Sequence, residues 1–205
     1  MSCTKTFDED RAVNAAVDCF WARGYEATSV RDLAEAMGTG GASLYNAHGD
    51  KGELFVLALE RYPNHSVRER LARIETRYPP KDAIGAFLAE IIDRSAKDPD
   101  CKGCPLVNSA LDVASRDAEI GKAVAAYLGE IRAFFKRSLE AGRRTGGIAA
   151  SLDFEVVSGH LLGIVLTIRM LGRTGAKRKV PVRVAQSALD LPRIPARPSP
   201  RRELS

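Results

Sequence analysis

The sequence predicts an all-α protein, and three observations carry that prediction. Apolar residues recur at spacings of three and four through nearly every segment, the period of one helix face. Glycine and proline fall where those periodic stretches end, at Gly24, Gly38, Pro63 and Pro79-Pro80, as residues that stop helices do. No alternating apolar–polar run marks a strand, and no internal repeat is present. At 205 residues the chain has room for one medium domain, or for a small domain joined to a larger one.

The elements follow in order. Thr6-Phe7-Asp8-Glu9 reads as a capping box that opens the first helix, the Thr hydroxyl accepting from the Glu9 N–H while the carboxylate reaches back. Val13, Ala16 and Phe20, with Ala12, form its apolar stripe, and Gly24 ends it. A second helix, N-capped by Thr28, puts Val30, Leu33, Ala34 and Met37 on one face and stops at Gly38. A short third helix covers about Ala42 to His48. A fourth starts near Asp50 or Lys51, carries Leu54, Phe55, Leu57, Ala58 and Leu59, and is broken at Pro63. A charged helix, Ser66 to Arg77, stops at the proline pair. Further helices are predicted over Ala83–Ser95, Pro105–Ala114, Ile120 to about Arg143, Leu152–Leu171 and, more weakly, Val182–Leu191. Leu152–Leu171 is apolar around most of its circumference, which predicts burial on several sides, in the core or against a second subunit. Residues 192–205 are rich in Pro and Arg with almost nothing to bury, and are predicted to be disordered.

Residues 28–54, TSVRDLAEAMGTGGASLYNAHGDKGEL, carry the functional signal. Two short helices joined by a glycine-rich turn, then a lysine and a new apolar helix, have the order of a helix-turn-helix. Thr28 and Ser29 lie at a helix start, where hydroxyls and free N–H groups can hold a phosphate. Gly40 and Gly41 form the turn. Ser43 and Asn46 are three apart and share a face, and an Asn can read adenine in the major groove. The Tyr45 hydroxyl and His48 can reach phosphates, and Lys51 stands as a backbone clamp at the start of the fourth helix. Each residue also has a structural reading: Thr28 as a cap, Ser43 as a local cap, Tyr45 as core, Lys51 as a solvated charge. Their order and spacing together favour DNA contact.

Charge does not supply that argument. The net charge is +5, but residues 173–205 hold nine Lys/Arg against two acids. Residues 1–62 hold six basic and ten acidic residues. The basic pI therefore says nothing for DNA binding by the N-terminal part.

The run Gly24-Tyr25, Thr28-Ser29-Val30, Leu33-Ala34, Gly38, Ser43-Leu44-Tyr45, Lys51 and Glu53-Leu54 resembles the TetR family of bacterial transcriptional regulators over about residues 8 to 60. Cys104, Leu106, Val107 and Asn108 resemble one sub-branch of that family. The resemblance implies phosphate contacts at Tyr45 and Lys51, a helical ligand-binding and dimerisation domain in the remainder, and a double-stranded DNA operator as partner. The chain departs from the family pattern in two places. Thr39-Gly40-Gly41 replaces a turn that usually carries an apolar residue, then Ser or Thr, then often a basic or small residue. His48 replaces a usual Phe or Tyr.

The four cysteines, Cys3, Cys19, Cys101 and Cys104, read as reduced thiols, because the N-terminus MSCTKTFDED turns acidic where a secretory signal would be apolar. Cys101-Lys102-Gly103-Cys104 is a C-x-x-C, but His48, His65 and His160 are too scattered to complete a metal site. The bland reading is a loop Cys101 and a semi-buried Cys104 at a helix start. The apolar run Leu161–Ile168 is too short to span a bilayer. No G-x-S-x-G, phosphate-binding glycine loop or H-E-x-x-H is present.

The sequence thus predicts an all-α, cytoplasmic, non-enzymatic regulator without cofactor or metal. An N-terminal three-helix helix-turn-helix domain (residues 1–50, motif about 29–48) precedes a C-terminal helical ligand-binding and dimerisation domain (51–191) and a basic tail (192–205). It is expected to act as a repressor, binding a palindromic operator as a homodimer and released by a small-molecule effector. Cys104, Asn108, Tyr127 and His160 are the candidate effector contacts. The dimer is expected to form through about 152–172 and the last helix. The alternative is a metal- or thiol-responsive sensor built on Cys101 and Cys104.

Overall fold

A computed structural model describes residues 3–40, 46–61, 65–98, 100–101, 103–114, 116–148 and 152–190. Its regular elements are all helices: α1 (Cys3–Arg23), α2 (Val30–Ala36), α3 (described over 46–48), α4 (Lys51–Arg61), α5 (His65–Arg77), α6 (Pro80–Ala96), α7 (Pro105–Asp112), α8 (Ala118–Arg144), α9 (Phe154–Arg173) and α10 (Lys179–Leu189). The all-α fold predicted from the sequence is the fold observed. The tail from residue 191 lies outside the described residues.

Two N-terminal starts differ from the sequence reading. α1 already runs from Cys3, so Thr6 lies inside it and does not open it; no Gly or Pro interrupts the backbone between them. α2 is N-capped by Ser29, not Thr28. The reason is spacing: Asp32, three residues after Ser29, completes a capping box, whereas the residue three after Thr28 is Arg31, which has no acceptor to offer.

The N-terminal head has a small core. Val13, Ala16, Val17 and Phe20 of α1 bury against Leu33 of α2 and Leu54, Phe55 and Ala58 of α4. The Phe20 and Phe55 rings meet edge to face at 4.7 Å, and Tyr25 lies 4.8 Å from Phe55. Side chains at spacings of three and four on both helices make this possible.

The C-terminal half is built around α8, the longest helix among the described residues, which packs on α4, α5, α6, α7 and α9. Asp117 caps it, accepting from the N–H of Glu119 at 3.0 Å and of Ile120 at 3.1 Å. At its centre Phe134 and Phe135 meet Phe87 of α6, with centroids 5.3–5.6 Å apart. α6 starts at Pro80, three residues before the predicted Ala83, because proline is well suited to the first helical turn, where its missing N–H costs nothing. α10 likewise starts at Lys179, ahead of the predicted Val182, with Pro181 in its first turn.

α9 meets the expected burial on one side only within a single chain. It buries one face, Phe154, Ser158, Leu161, Val165 and Ile168, against α6, α8 and α10. The opposite face is bare: Val156 is 66% and Met170 54% exposed. The helix around the short apolar run is 20 residues long with a mean hydropathy of 1.6, enough by length and composition alone to cross a bilayer. Here one side of it belongs to a helical core.

Candidate nucleic-acid interface

The approach to the helix-turn-helix is set by short-range hydrogen bonds. Gly24, at φ +82°, ends α1, its N–H donating to Phe20 O. The Thr28 hydroxyl donates to Gly24 O at 2.6 Å, and the Thr28 side chain is fully buried. Thr28 therefore seals the α1–α2 corner and presents no side-chain surface to a phosphate. Ser29 Oγ accepts from Asp32 N at 3.1 Å, and Asp32 Oδ2 accepts from Ser29 N at 2.9 Å and Ser29 Oγ at 2.6 Å. These bonds, with Arg23 on the other carboxylate oxygen, bring the Asp32 carboxyl from 3.8 to about 2. Both Ser29 polar groups are thus engaged within α2's first turn.

α2 ends on Gly38, at φ +66°, where Thr39 N donates to Ala34 O and Gly38 N to Glu35 O. This paired closure demands a left-handed residue. Gly40 follows, exposed, with open space where a Cβ would be. Gly41, Ser43 and Tyr45 lie outside the described residues. On α3, Asn46 is exposed and His48 half-buried.

α4 then opens on a second capping box. Glu53 N donates to Asp50 Oδ1 and Asp50 N to Glu53 Oε2, both at 2.9 Å. Gly49, at φ +71°, makes room for it: a Cβ there would lie 1.8 Å from Glu53 Oε2. Lys51 occupies the first turn, with its ammonium 4.3 Å from the Tyr25 ring centroid. A cation at a helix N-terminus opposes the helix dipole, so stability alone does not account for it.

Among the described residues, ion pairs engage three of the head's ten acids. Arg23 pairs with Asp32, Arg61 with Asp10, and Arg116 with Glu26. Arg31, exposed on α2, and Lys51 carry no ion pair among the described residues. Arg31 went unremarked in the sequence, where it was one charge among many.

The four candidate effector contacts do not form one group. Cys104, the N-cap residue of α7, and Tyr127 of α8 are buried together, Sγ 4.0 Å from the hydroxyl. Asn108 is half-buried, its Oδ1 3.4 Å from where a Gly103 Cβ would stand. His160 is exposed on α9, because its position is rotated by about 100° or more from the buried positions Phe154, Ser158 and Leu161. Cys19, Cys101 and Cys104 are free thiols, and no group of three His, Cys, Asp or Glu residues among the described ones could hold a metal. A cavity of about 1070 Å³ opens between α5, α6, α9 and α10. Arg73, Ile74, Ile84, Glu90, Leu139 and Leu161 line it, and none of the four candidates does.

The structure adds a residue the sequence reading missed. Arg70 of α5 is 4% exposed, and its Nε and Nη1 have no hydrogen-bond partner among the described residues. Its signal was visible: Arg70 falls on the stripe Val67, Leu71 and Ile74, all buried, so helical spacing already turned it inward. Two further links join the halves. Trp21 Nε1 of α1 donates to Gly103 O at 3.1 Å, just before α7, and Arg116, just after α7, pairs with Glu26 at 3.1 Å.

A capped helix pair, a glycine turn, a lysine-led third support and a larger helical half define a helix-turn-helix regulator. The family profile for bacterial regulatory proteins of the TetR family matches residues 12–58, and that for the tetracyclin repressor-like C-terminal domain matches residues 80–188. The chain belongs to the TetR family and is a DNA-binding transcriptional regulator. The HTH-type regulator YezE of Bacillus subtilis is 31% identical over 123 residues, 60% of this chain but only 63% of that protein. The HTH-type repressor ComR of Escherichia coli is 25% identical over 91% of this chain and 90% of its own. Among solved structures, a cysteine mutant of the TetR family regulator CifR, complexed with a 26-base-pair double-strand operator, superposes with a TM-score of 0.79. It is 29% identical and covers 88% of this chain and 95% of its own.

Proposed function

We propose that this regulator is a repressor that binds a palindromic operator as a homodimer and is released by a small-molecule effector. One observation carries the reading: in the segment that holds α2, α3 and the start of α4, Arg31 and Asn46 are exposed, and Arg31 and Lys51 have no ion pair among the described residues. Asn46, with Ser43, is assigned to base edges. Gly40, Gly41, Tyr45 and His48 belong to the turn and reading helix, and Arg31 and Lys51 hold the phosphate backbone. Thr28 leaves this set because its side chain is buried, and Ser29 contributes through the cap it forms.

The bare apolar face of α9, with exposed Leu189 on α10, supports a homodimer built there. Two reading heads then meet two half-sites. The relatives point the same way: ComR is named a repressor, and CifR is seen on operator DNA. Release is assigned to α7, which grips the head at both ends, through Gly103 to Trp21 and through Arg116 to Glu26. A ligand that prefers one setting of α7 shifts the spacing of the heads.

The test is a gel-shift titration of the purified protein on DNA upstream of its own gene, with competitor DNA and at several salt concentrations. Specific binding that survives competitor is expected. Lys51→Ala should weaken it across all sequences and reduce the log–log salt slope by about 1. Met170→Glu with Val156→Glu should sediment as a monomer and lose operator binding. A protein that prefers no DNA sequence at any salt would sink the reading.

A further inference from the structure

Arg70 is a guanidinium in the interior with no ion pair among the described residues. Its Nε and Nη1 are buried without a hydrogen-bond partner among the described residues, and its Cζ lies 5.6 Å from the Phe87 ring. Aromatic contact offers a buried cation some attraction but no acceptor for its N–H groups. The charges around it make matters worse. Arg94 and Arg169 act on it as like charges, and Glu90 is the acid that opposes them. Glu90 is already taken: Arg73 Nη2 donates to both its oxygens, at 2.8 and 3.0 Å, and Arg94 lies 3.5 Å away. Burial therefore pushes the Arg70 pKa down, with Arg94 and Arg169 adding to it against Tyr127 and Glu90. An arginine still keeps its proton at any ordinary pH.

A second polar group shares this region. The Tyr127 hydroxyl of α8 is buried, within electrostatic range of Arg70, and its partner is the Cys104 sulfur at 4.0 Å, a weak acceptor. A buried phenol ordinarily finds a better one. A guanidinium without an acceptor among the described residues and a phenol held only by a weak sulfur contact thus share one apolar interior, and both belong to the half of the chain assigned to effector binding.

We propose that Arg70 anchors an anion site, and that the effector is a small organic acid whose carboxylate takes the Arg70 guanidinium, with the Tyr127 hydroxyl as a second donor. The proposal rests on the effector-released reading above and names its ligand class. A carboxylate supplies one negative charge and acceptor oxygens for both donors. The organic body of the acid lies along Phe87. Cys104, beside Tyr127 and one residue from the carbonyl that holds Trp21, links occupation of the site to the α7 attachment on the head.

The experiment uses the full-length dimer, with octanoate and benzoate as probes, their amides as neutral counterparts, and inorganic phosphate. Thermal unfolding and titration calorimetry are run on the wild type, Arg70→Met and Arg70→Lys. At least one carboxylate should raise the wild-type midpoint and bind about tenfold or more tighter than its amide. Arg70→Met should lose that preference, and Arg70→Lys should weaken it. Without ligand, Arg70→Met should melt no lower than wild type, because an uncompensated buried charge has been removed. The proposal falls if no carboxylate binds, if Arg70→Met responds equally, or if phosphate binds better than either acid. It falls also if Arg70→Met melts lower or fails to fold, which would make Arg70 a structural residue. Operator release separates this from the wider reading. Release by amide and acid alike keeps the regulator and removes the anion site. An Arg70-dependent shift in a protein that binds no operator does the reverse.

Discussion

The head and the regulatory domain treat polar groups in opposite ways. In the head, the capping groups at the α1–α2 corner and at the starts of α2 and α4 are closed by neighbours a few residues away: Thr28 on Gly24, Ser29 on Asp32, Asp50 on Glu53. The C-terminal domain buries Nε and Nη1 of Arg70 with no hydrogen-bond partner among the described residues. Desolvating one ion costs several kcal/mol, on the order of the net stability of a domain. The surrounding aromatic core supports that cost through long-range packing of Phe87, Phe134 and Phe135. The difference teaches a division of labour. Local closure fixes the corners of the head, and on the reading proposed above the unmet interaction in a well-packed interior leaves something for a ligand to complete.

The largest test of that division is in the packed core. Phe134→Ala removes one ring of the triad it forms with Phe87 and Phe135 and should cost about 3–5 kcal/mol in urea unfolding. A cost below about 1 kcal/mol would break the claim that long-range packing holds this half.

A smaller effect is expected at the local closures. Gly49→Ala forces a left-handed alanine and drives its Cβ into the Glu53 carboxylate. It should cost about 1–2 kcal/mol, speed amide exchange at the start of α4, and weaken operator binding. The regulatory core's exchange should stay as it was; if it loosens equally, the two halves are not separately held.

The smallest effect belongs to the α2 cap. Ser29→Ala should cost about 1 kcal/mol. Asp32 gives this cap a pH signature. Its carboxyl is depressed in the folded state, from 3.8 to about 2, so its contribution is complete above the higher value and is lost as pH falls through the lower one. The stability gap between wild type and Asp32→Asn should be flat near neutrality and close over that acid window. A gap that persists at the acid end would show that the carboxylate is not what the cap uses.

How much could be read beforehand follows the same line. Gly24 and Gly38 ended their helices as spaced, and Leu33, Leu54 and Phe55 went inward, because helical period and left-handed stops depend on near neighbours. The α2 cap was misplaced by one residue, from Thr28 to Ser29, since two adjacent hydroxyls look alike until one asks which has an acid three residues on. His160 was grouped with Cys104 and Tyr127 on residue type alone, and the α9 face that carries it points elsewhere. Arg70 was legible as an inward position but was passed over as a charge in a charged helix.

The sequence by itself determined the helices, their corners and the helix-turn-helix order, since hydrogen bonds and side-chain faces within a few residues specify them. Only the tertiary structure decided that Glu90 goes to Arg73, that Tyr127 meets Cys104, and that Arg70 has no acid partner among the described residues. Those outcomes depend on which helices pack side by side. A charge's partner across space is settled by packing, which no local spacing encodes.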